Sequence, residues 1–183
     1  MAEPNTAMSG RNVPRPDTGA GGAETIRITA MVNGVVRTFD ASPWTMLGEA
    51  LRDTLGLTGT KIACDRGSCS ACTVLLDGLP VCSCMMLAVE IDGHSITTIE
   101  GLAAATALHP VQTAFIEHDA VQCGFCTPGV LMSCAALLKR NASPDKEAVL
   151  DAISGHFCRC GTYPHVVAAT LAAAAKMRGD DNG

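Results

Sequence analysis

Residues 64–84 read C-D-R-G-S-C-S-A-C-T-V-L-L-D-G-L-P-V-C-S-C, and five of the ten cysteines of the 183-residue chain fall within this stretch. Four and then two residues separate the first three of them, Cys64, Cys69 and Cys72. Most of the intervening residues are small, which lets the backbone curl so that the sulfurs converge and backbone N–H groups point inward at sulfur. Residues 64–72 therefore predict a loop wrapped around an inorganic centre.

The Cys-x4-Cys-x2-Cys spacing is that of plant-type ferredoxins, in which thiolates hold a [2Fe-2S] cluster. The fourth ligand has two candidates after the Asp77-Gly78 turn, Cys82 and Cys84. Strand alternation places both on one face, so the spacing alone leaves the choice open. The cysteine that is not a ligand is expected to be a small buried apolar side chain.

The residues on either side of this loop have the pattern of a small β-sheet packed on one helix. Asn33-Gly34 suits a tight hairpin turn between alternating residues over 25–40. Leucines one helical turn apart over 47–55 predict a helix that stops at Gly56. Further strands are predicted over residues 73–76, 80–83 and 87–99, the last broken at Asp92-Gly93.

Beyond Gly101 the pattern becomes alanine-rich and helical. Thr127 and Ser143 are the predicted N-caps of two helices, because a proline follows each of them where a missing N–H costs nothing. The C-terminal part is expected to be a bundle of four helices over residues 109–118, 128–140, 144–154 and 163–178.

This change of pattern predicts an α+β fold with a boundary near residue 100. Residues 1–24 are rich in Pro, Gly, Asn and Thr and are expected to form a flexible tail. The β domain is predicted over residues 25–100 and the helical domain over 101–183.

The helical part carries its own cysteine set, Cys123-x2-Cys126 and Cys158-x-Cys160. Each pair directly precedes a predicted helix, where free N–H groups and the helix dipole stabilise thiolates and an anionic cluster. A four-cysteine zinc site is the alternative that spacing leaves open. Disulfides are disfavoured, because cysteines so close in sequence cannot all pair and the expected compartment is reducing.

Charge and hydropathy exclude several classes of protein. The net charge of −5 provides no basic surface for nucleic acid. No run of about 20 apolar residues could span a membrane, and no secretory signal precedes the domains. The chain is therefore expected in the cytoplasm, or in the periplasm only by export together with a partner. No nucleophilic triad, phosphate loop or dinucleotide motif is found, so substrate chemistry is expected on another chain.

Three segments in order, CDRGSCSACTVLLDGLPVCSC, QCGFCTPG and CRCGTY, resemble the small iron–sulfur subunit of molybdenum hydroxylases, the xanthine dehydrogenase and aldehyde oxidoreductase family. The resemblance runs from about Ile26 to Arg178. It implies an N-terminal β-grasp, ferredoxin-like domain followed by a C-terminal four-helix-bundle domain, each holding one [2Fe-2S] cluster.

The resemblance also implies a role for each cysteine of the motifs. The ferredoxin-type cluster would be held by Cys64, Cys69, Cys72 and Cys84, and the helical cluster by Cys123, Cys126, Cys158 and Cys160. Gln122 and Cys160 would lie beside the molybdopterin cofactor of a large partner subunit. Electrons would enter at the helical cluster, pass to the ferredoxin-type cluster and leave to an FAD on another subunit or to an external acceptor such as a cytochrome.

Two departures from the family pattern are visible. Ser70 stands where the family loop commonly has glycine, and the last motif reads C-R-C-G-T-Y instead of the commoner C-R-C-T-G-Y. The C-R-C-G-T-Y order resembles that of the family branch that oxidises aldehydes or N-heterocycles.

The remaining cysteines and histidines have ordinary interpretations. Cys82 and Cys134 are expected to be core thiols, and Arg66 is either an exposed side chain or a modulator of cluster charge. Surface or capping roles are expected for the histidines His109, His118, His156 and His165. The competing function is a free-standing ferredoxin-like carrier with a structural zinc site.

Overall fold

The structure is a computed structural model that describes residues 24–103 and 107–179. The predicted tail over residues 1–24 lies outside the described residues except for Glu24. Among the helices of the described ranges, none combines the length and the apolar character that a membrane crossing requires.

The N-terminal part is a five-stranded mixed sheet. Its strand order is β2-β1-β5-β3-β4, with β1 and β5 parallel and the other neighbours antiparallel. The strands are β1 (Ile26–Val32), β2 (Val35–Ala41), β3 (Thr73–Leu76), β4 (Leu79–Cys82) and β5 (Ser95–Thr97).

The first hairpin and the first helix form where the sequence predicts them. Asn33 and Gly34 both have positive φ, 53° and 77°, and join β1 to β2 in the tight turn expected of this pair. Helix α1 (Leu47–Glu49) continues as a π-helical turn over Ala50–Thr54. Its buried leucines pack on the alternating buried residues of β1, and this contact forms the core of the β domain.

The strand predicted over residues 87–99 is wrong in its first half. Ala88–Ile91 forms a 3₁₀ helix, and only Ser95–Thr97 is extended. Ala88 and Ile91 are both fully buried, and their spacing of three suits one helical turn better than a strand. The Glu90 carboxylate also accepts a hydrogen bond from the Leu87 N–H at 2.6 Å, which closes the turn.

The C-terminal part contains the four predicted helices around one apolar core. Both predicted N-caps are wrong. Cys126, not Thr127, is the N-cap of its helix, and Asp145, not Ser143, caps the next one, because its carboxylate accepts from the Ala148 N–H at 2.8 Å. The helices are α2 (Pro110–Glu117), α3 (Thr127–Arg140), α4 (Lys146–Ala152) and α5 (Tyr163–Arg178).

Helix α3 joins the two parts. Met132 and Ala136 on α3 pack with Leu75 of β3 in a third buried apolar cluster. Near its start, a Cβ added at Gly129 would overlap the carbonyl oxygens of Ser70 and Ala71, the second at 2.9 Å. The N-terminus of α3 therefore lies directly against the Cys69–Cys72 loop, and only glycine permits this approach.

Candidate metal centres

The first cysteine loop has an unusual backbone. Asp65, Gly67 and Ser70 have φ values of 52°, 72° and 54°, in the left-handed region that costs a residue with a Cβ about 1–2 kcal/mol. Two features favour glycine at position 67. Its φ is positive, and a Cβ there would lie 3.0 Å from Cγ of Met85. The curl turns the Gly67 N–H toward sulfur, and it donates to Cys84 Sγ at 3.4 Å.

The four thiols that the resemblance assigns to this loop form two pairs. The Cys64 and Cys69 thiols lie within hydrogen-bonding reach of each other, as do those of Cys72 and Cys84. The Arg66 backbone N–H, followed by the Cys69 thiol, lowers the pKa of Cys64 to about 7. Burial raises the pKa of Cys72 to about 12, so this thiol lies in an apolar setting from which water is excluded.

The structure distinguishes Cys82 from Cys84. Strand β4 ends at Cys82 and Ser83–Met85 is a 3₁₀ turn, so the expectation that alternation puts both cysteines on one face is wrong. Cys84 is buried beside Cys72. Cys82 is half-buried, not fully buried as predicted, and its Sγ lies 3.7 Å from Ser70 Oγ.

The helical cysteine set is brought together from two distant segments. Cys126 is the N-cap of α3, and Cys158 and Cys160 lie in the loop that leads into α5. Their thiols again form two pairs, Cys126 with Cys158 and Cys123 with Cys160.

Two half-buried thiols of this set, Cys126 and Cys158, differ in pKa. Burial raises the pKa of Cys126 to about 12. Burial also acts to raise the pKa of Cys158, but hydrogen bonds from Thr162 and Cys126 outweigh it and lower that pKa to about 6. The Thr162 hydroxyl lies 3.4 Å from Cys158 Sγ. Hydrogen bonding thus favours a thiolate, the form that binds metal, at Cys158.

Two pairs of thiols at each place fit a [2Fe-2S] cluster, in which each of two irons takes two cysteine ligands. A zinc ion instead needs its ligands around one point. Across residues 24–103 and 107–179, no three His, Cys, Asp or Glu side chains are placed to hold a single metal ion. The arrangement of each donor set in two thiol pairs is the one that a [2Fe-2S] cluster uses.

The two sets lie side by side. The Phe157 N–H donates to the Cys69 carbonyl oxygen at 3.2 Å, which joins the helical loop to the ferredoxin-type loop. Cys69, Cys126 and Cys158 line one small cleft of about 140 Å³ between the two loops.

The outer face of the helical set is apolar and exposed. Val121, Phe125 and Phe157 remain 42%, 48% and 67% exposed around it. Gln122 and Cys123 are exposed on the same loop, so the structure places the predicted pterin contact Gln122 at the surface beside the thiols.

Three of the four histidines have the predicted surface or capping roles. His109 caps α2, since its Nδ1 accepts from the Val111 N–H at 3.2 Å, and burial lowers its pKa. His118 is the C-cap of the same helix, and the exposed His165 is bonded through Nδ1 to the His118 carbonyl at 2.9 Å.

The prediction for His156 is wrong. Its side chain is buried, its Nε2 lies 2.7 Å from Ser133 Oγ, and burial lowers its pKa to about 4. Ser133 offered a signal in the sequence, because a polar side chain on the buried face of a predicted helix needs a partner. Cys134 is buried as expected, and the Thr170 hydroxyl donates to its sulfur at 3.2 Å.

A ferredoxin-like sheet domain and a helical domain, each gathering four thiols, define a protein of the two-cluster [2Fe-2S] class. The family profile of the 2Fe-2S iron-sulfur cluster binding domain matches residues 30–101, and that of the [2Fe-2S] binding domain matches residues 98–171. The small subunit of nicotine 6-hydroxylase from Paenarthrobacter nicotinovorans is 46% identical over 161 residues, which cover 88% of this chain and 96% of that subunit.

Two solved structures have the same fold. Quinoline 2-oxidoreductase from Pseudomonas putida 86 contains a chain that is 43% identical, with a TM-score of 0.80 over 85% of this chain and 98% of that one. Aldehyde oxidoreductase from Desulfovibrio gigas is 40% identical with a TM-score of 0.82, over 86% of this chain and 18% of the longer one. The chain belongs to the family of small iron–sulfur subunits of molybdenum hydroxylases and aldehyde oxidoreductases.

The predicted family and fold class are thereby confirmed. The chain is an electron-transfer subunit with two [2Fe-2S] domains, and substrate chemistry takes place on a partner subunit. The competing function, a free-standing carrier with a structural zinc site, is not favoured.

Proposed function

We propose that this chain relays electrons from a molybdenum centre through two clusters in series. The helical cluster receives them first and the ferredoxin-type cluster second. The observation that carries the proposal is the gathering of eight thiols into two adjoining sets of two pairs each. The ligands we propose are Cys123, Cys126, Cys158 and Cys160 for the first cluster and Cys64, Cys69, Cys72 and Cys84 for the second.

The direction of the relay is supported by exposure. The apolar rim of Val121, Phe125 and Phe157 surrounds the helical set and suits burial against a protein partner. A large molybdopterin-binding subunit docked there would bring its cofactor to Gln122 and Cys160, which we propose as the pterin contacts. Such docking would also exclude water from the exposed Cys123 thiol.

The exit of electrons is proposed at the ferredoxin-type cluster. The acceptor would be an FAD on another subunit or an external carrier such as a cytochrome. The relatives reported above are named for nicotine, quinoline and aldehydes, so we propose an N-heteroaromatic compound or an aldehyde as the substrate of the complex.

The organisation and location of the chain complete the proposal. We propose a domain boundary near residue 100, between a ferredoxin-like unit and a helical unit. The complex would work in the cytoplasm, or in the periplasm if the chain is exported with its partner.

Iron and acid-labile sulfide analysis of the full chain, purified with its clusters, tests the proposal. We expect both elements in the amounts for two [2Fe-2S] clusters, and two distinct electron paramagnetic resonance signals after reduction. Zinc in place of iron, or one signal only, would contradict it. Co-purification of a large molybdopterin subunit tests the proposed partner in the same preparation.

A matched pair of substitutions tests the ligand assignment. Cys84→Ser should abolish the ferredoxin-type signal and leave the helical one, because Cys84 contributes one of the paired thiols. Cys82→Ser should leave both signals. The reverse result would make Cys82 the ligand.

A further inference from the structure

His156 lies two residues before Cys158 of the helical thiol set, and its ring is bonded to α3. The side chain is only 4% exposed, and its Nε2 is hydrogen-bonded to Ser133 Oγ of α3 at 2.7 Å. Nδ1 of the same ring is buried and has no hydrogen-bond partner among the described residues. A buried polar side chain that is only half satisfied is costly, so its presence calls for a structural reason.

The backbone that follows His156 is tied to both sets. The Tyr163 hydroxyl donates to the His156 carbonyl at 3.0 Å and accepts from the Cys158 N–H at 2.8 Å. Between these two residues, the Phe157 N–H donates to the Cys69 carbonyl at 3.2 Å. Residues 156–158 therefore form the direct connection between the helical loop and the ferredoxin-type loop.

Helix α3 is the common support of both loops. It begins at Cys126, touches Ser70 and Ala71 through Gly129, and presents Ser133 one turn later. The hydrogen bond from Ser133 to His156 fastens the connecting segment to the same helix that supports the Cys69–Cys72 loop. Helix α3 and the two loops are therefore all in contact with one another.

The imidazole borders an open cleft. Ser133, His156 and Cys82 line a cavity of about 180 Å³ between the two domains. This space gives the ring room to change position once its hydrogen bond is lost. The hydrogen bond to Ser133 thus fastens the segment to α3, in addition to the Tyr163 hydroxyl, which binds its backbone on either side of Phe157.

We propose that His156 is a positioning residue, whose hydrogen bond with Ser133 holds Phe157 N–H against Cys69 and so fixes the separation of the two clusters. The proposal rests on the proposed function, because it assigns the two thiol sets to clusters. One electron leaves the helical cluster as the ferredoxin-type cluster gains it, and the rate of this transfer depends on their separation.

The test compares His156→Ala, Ser133→Ala and His156→Asn in the full chain with its clusters. His165→Ala is the matched control, since it also removes an imidazole hydrogen bond near the start of α5 but one that contacts neither loop. Two readouts are used: hydrogen exchange of the peptide containing the Phe157 amide, and the magnetic splitting between the two reduced clusters, which falls with the cube of their distance.

We expect exchange at Phe157 to become about tenfold faster in His156→Ala and Ser133→Ala, because each removes one buried hydrogen bond. The splitting should shrink or broaden while the iron content is unchanged. His156→Asn, which keeps a donor and an acceptor, should restore part of both, and His165→Ala should match the unsubstituted chain.

Unchanged exchange and splitting in His156→Ala would overturn the proposal, and so would loss of a cluster in both alanine variants, since the pair would then serve assembly instead of positioning. If His156→Ala does not fold, Ser133→Ala decides by the same readouts. The proposed function itself fails if the unsubstituted chain does not give two cluster signals, and this outcome is distinct from the two above. In that case the exchange at Phe157 still decides whether the pair positions the segment.

Discussion

The two thiol sets differ in how the chain brings their members together. The ferredoxin-type set comes from one continuous stretch, residues 64–84, whose backbone curls through left-handed positions. The helical set comes from two segments separated by α3 and α4, and its thiols sit at helix starts. The first set is therefore mainly a property of local sequence, whereas the second exists only when the bundle is folded.

This difference has an energetic consequence. Ligation in the helical domain closes a longer chain segment between Cys126 and Cys158 than ligation in the ferredoxin-like domain closes between Cys72 and Cys84. Longer closed segments restrict the unfolded chain more strongly. The helical domain should accordingly depend more on its cluster than the ferredoxin-like domain does.

The largest expected effect is that of removing one cluster. Cys126→Ser and Cys72→Ser each delete one thiol of a pair, half-buried in the first case and buried in the second, and each should cost its own domain on the order of 5 kcal/mol of unfolding free energy. The loss should be about 1 kcal/mol greater for Cys126→Ser, because the segment that it closes is longer. Urea unfolding followed by hydrogen exchange of each domain measures both values.

Cys134→Ser is the control for this comparison, since it changes a buried thiol that pairs with no other cysteine. It should retain both clusters. Equal loss of exchange protection in both domains from either ligand substitution would contradict the independence of the two sites.

The next effect concerns the contact that joins the sites. Gly129→Ala would force a methyl group against the backbone carbonyls of Ser70 and Ala71, and neither can rotate away. We expect a loss of about 3 kcal/mol, typical of severe overpacking. Gly155→Ala is the matched control, because its methyl group would meet only the rotatable Ser70 hydroxyl, at 3.2 Å.

Thermal unfolding of the two variants compares them directly. A melting temperature in Gly129→Ala equal to that in Gly155→Ala would show that α3 does not need this close approach.

Local signals in the sequence account for much of this structure, and tertiary contacts account for the misses. Helix α5 has the predicted bounds, Tyr163–Arg178, because its caps and apolar pattern are local. The 3₁₀ helix Ala88–Ile91 was not predicted, because the same apolar residues also fit an alternating strand. The sequence predicts a surface or capping role for His156, because its partner Ser133 is 23 residues away and only the packed bundle brings them together.

The same holds for the candidate sites. Cysteine spacing predicts a cluster in residues 64–72 directly, since that loop is local. For the helical set, spacing left zinc open, because the arrangement of two thiol pairs arises only when the starts of α3 and α5 meet. The choice of Cys84 over Cys82 likewise depends on a turn that ends β4 early.

A smaller effect is expected from alanine at two glycines with positive φ, one beside each thiol set. Gly67 and Gly124 both have positive φ, 72° and 80°, so alanine at either should cost about 1 kcal/mol. Of these two glycines, only Gly67 would bring a new methyl group against Met85, and only its N–H donates to a thiol that we propose as a cluster ligand, that of Cys84. Gly67→Ala should therefore shift the reduction potential of the ferredoxin-type cluster as well as the melting temperature.

Gly124→Ala serves as the internal reference, because a Cβ there would meet open space. It should lower the melting temperature without moving either potential. A redox titration in which both variants leave both potentials unchanged would remove the special role assigned to the Gly67 N–H.

The smallest expected effect is the part of the pH dependence of the helical domain that His109 contributes. His109 caps α2 with an unprotonated Nδ1, and burial lowers its pKa below that of the unfolded chain. The unfolded state therefore binds the proton more readily, so the stability from this cap is complete above about pH 6.5 and is lost as the pH falls below it. Because the ring is partly exposed, the loss should be no more than about 0.5 kcal/mol.

Asparagine is an equally good cap but does not titrate, so the stability difference between the unsubstituted chain and His109→Asn should change between pH 7.5 and pH 5.5. A difference that stays constant over this range would show that His109 does not cap through its neutral ring.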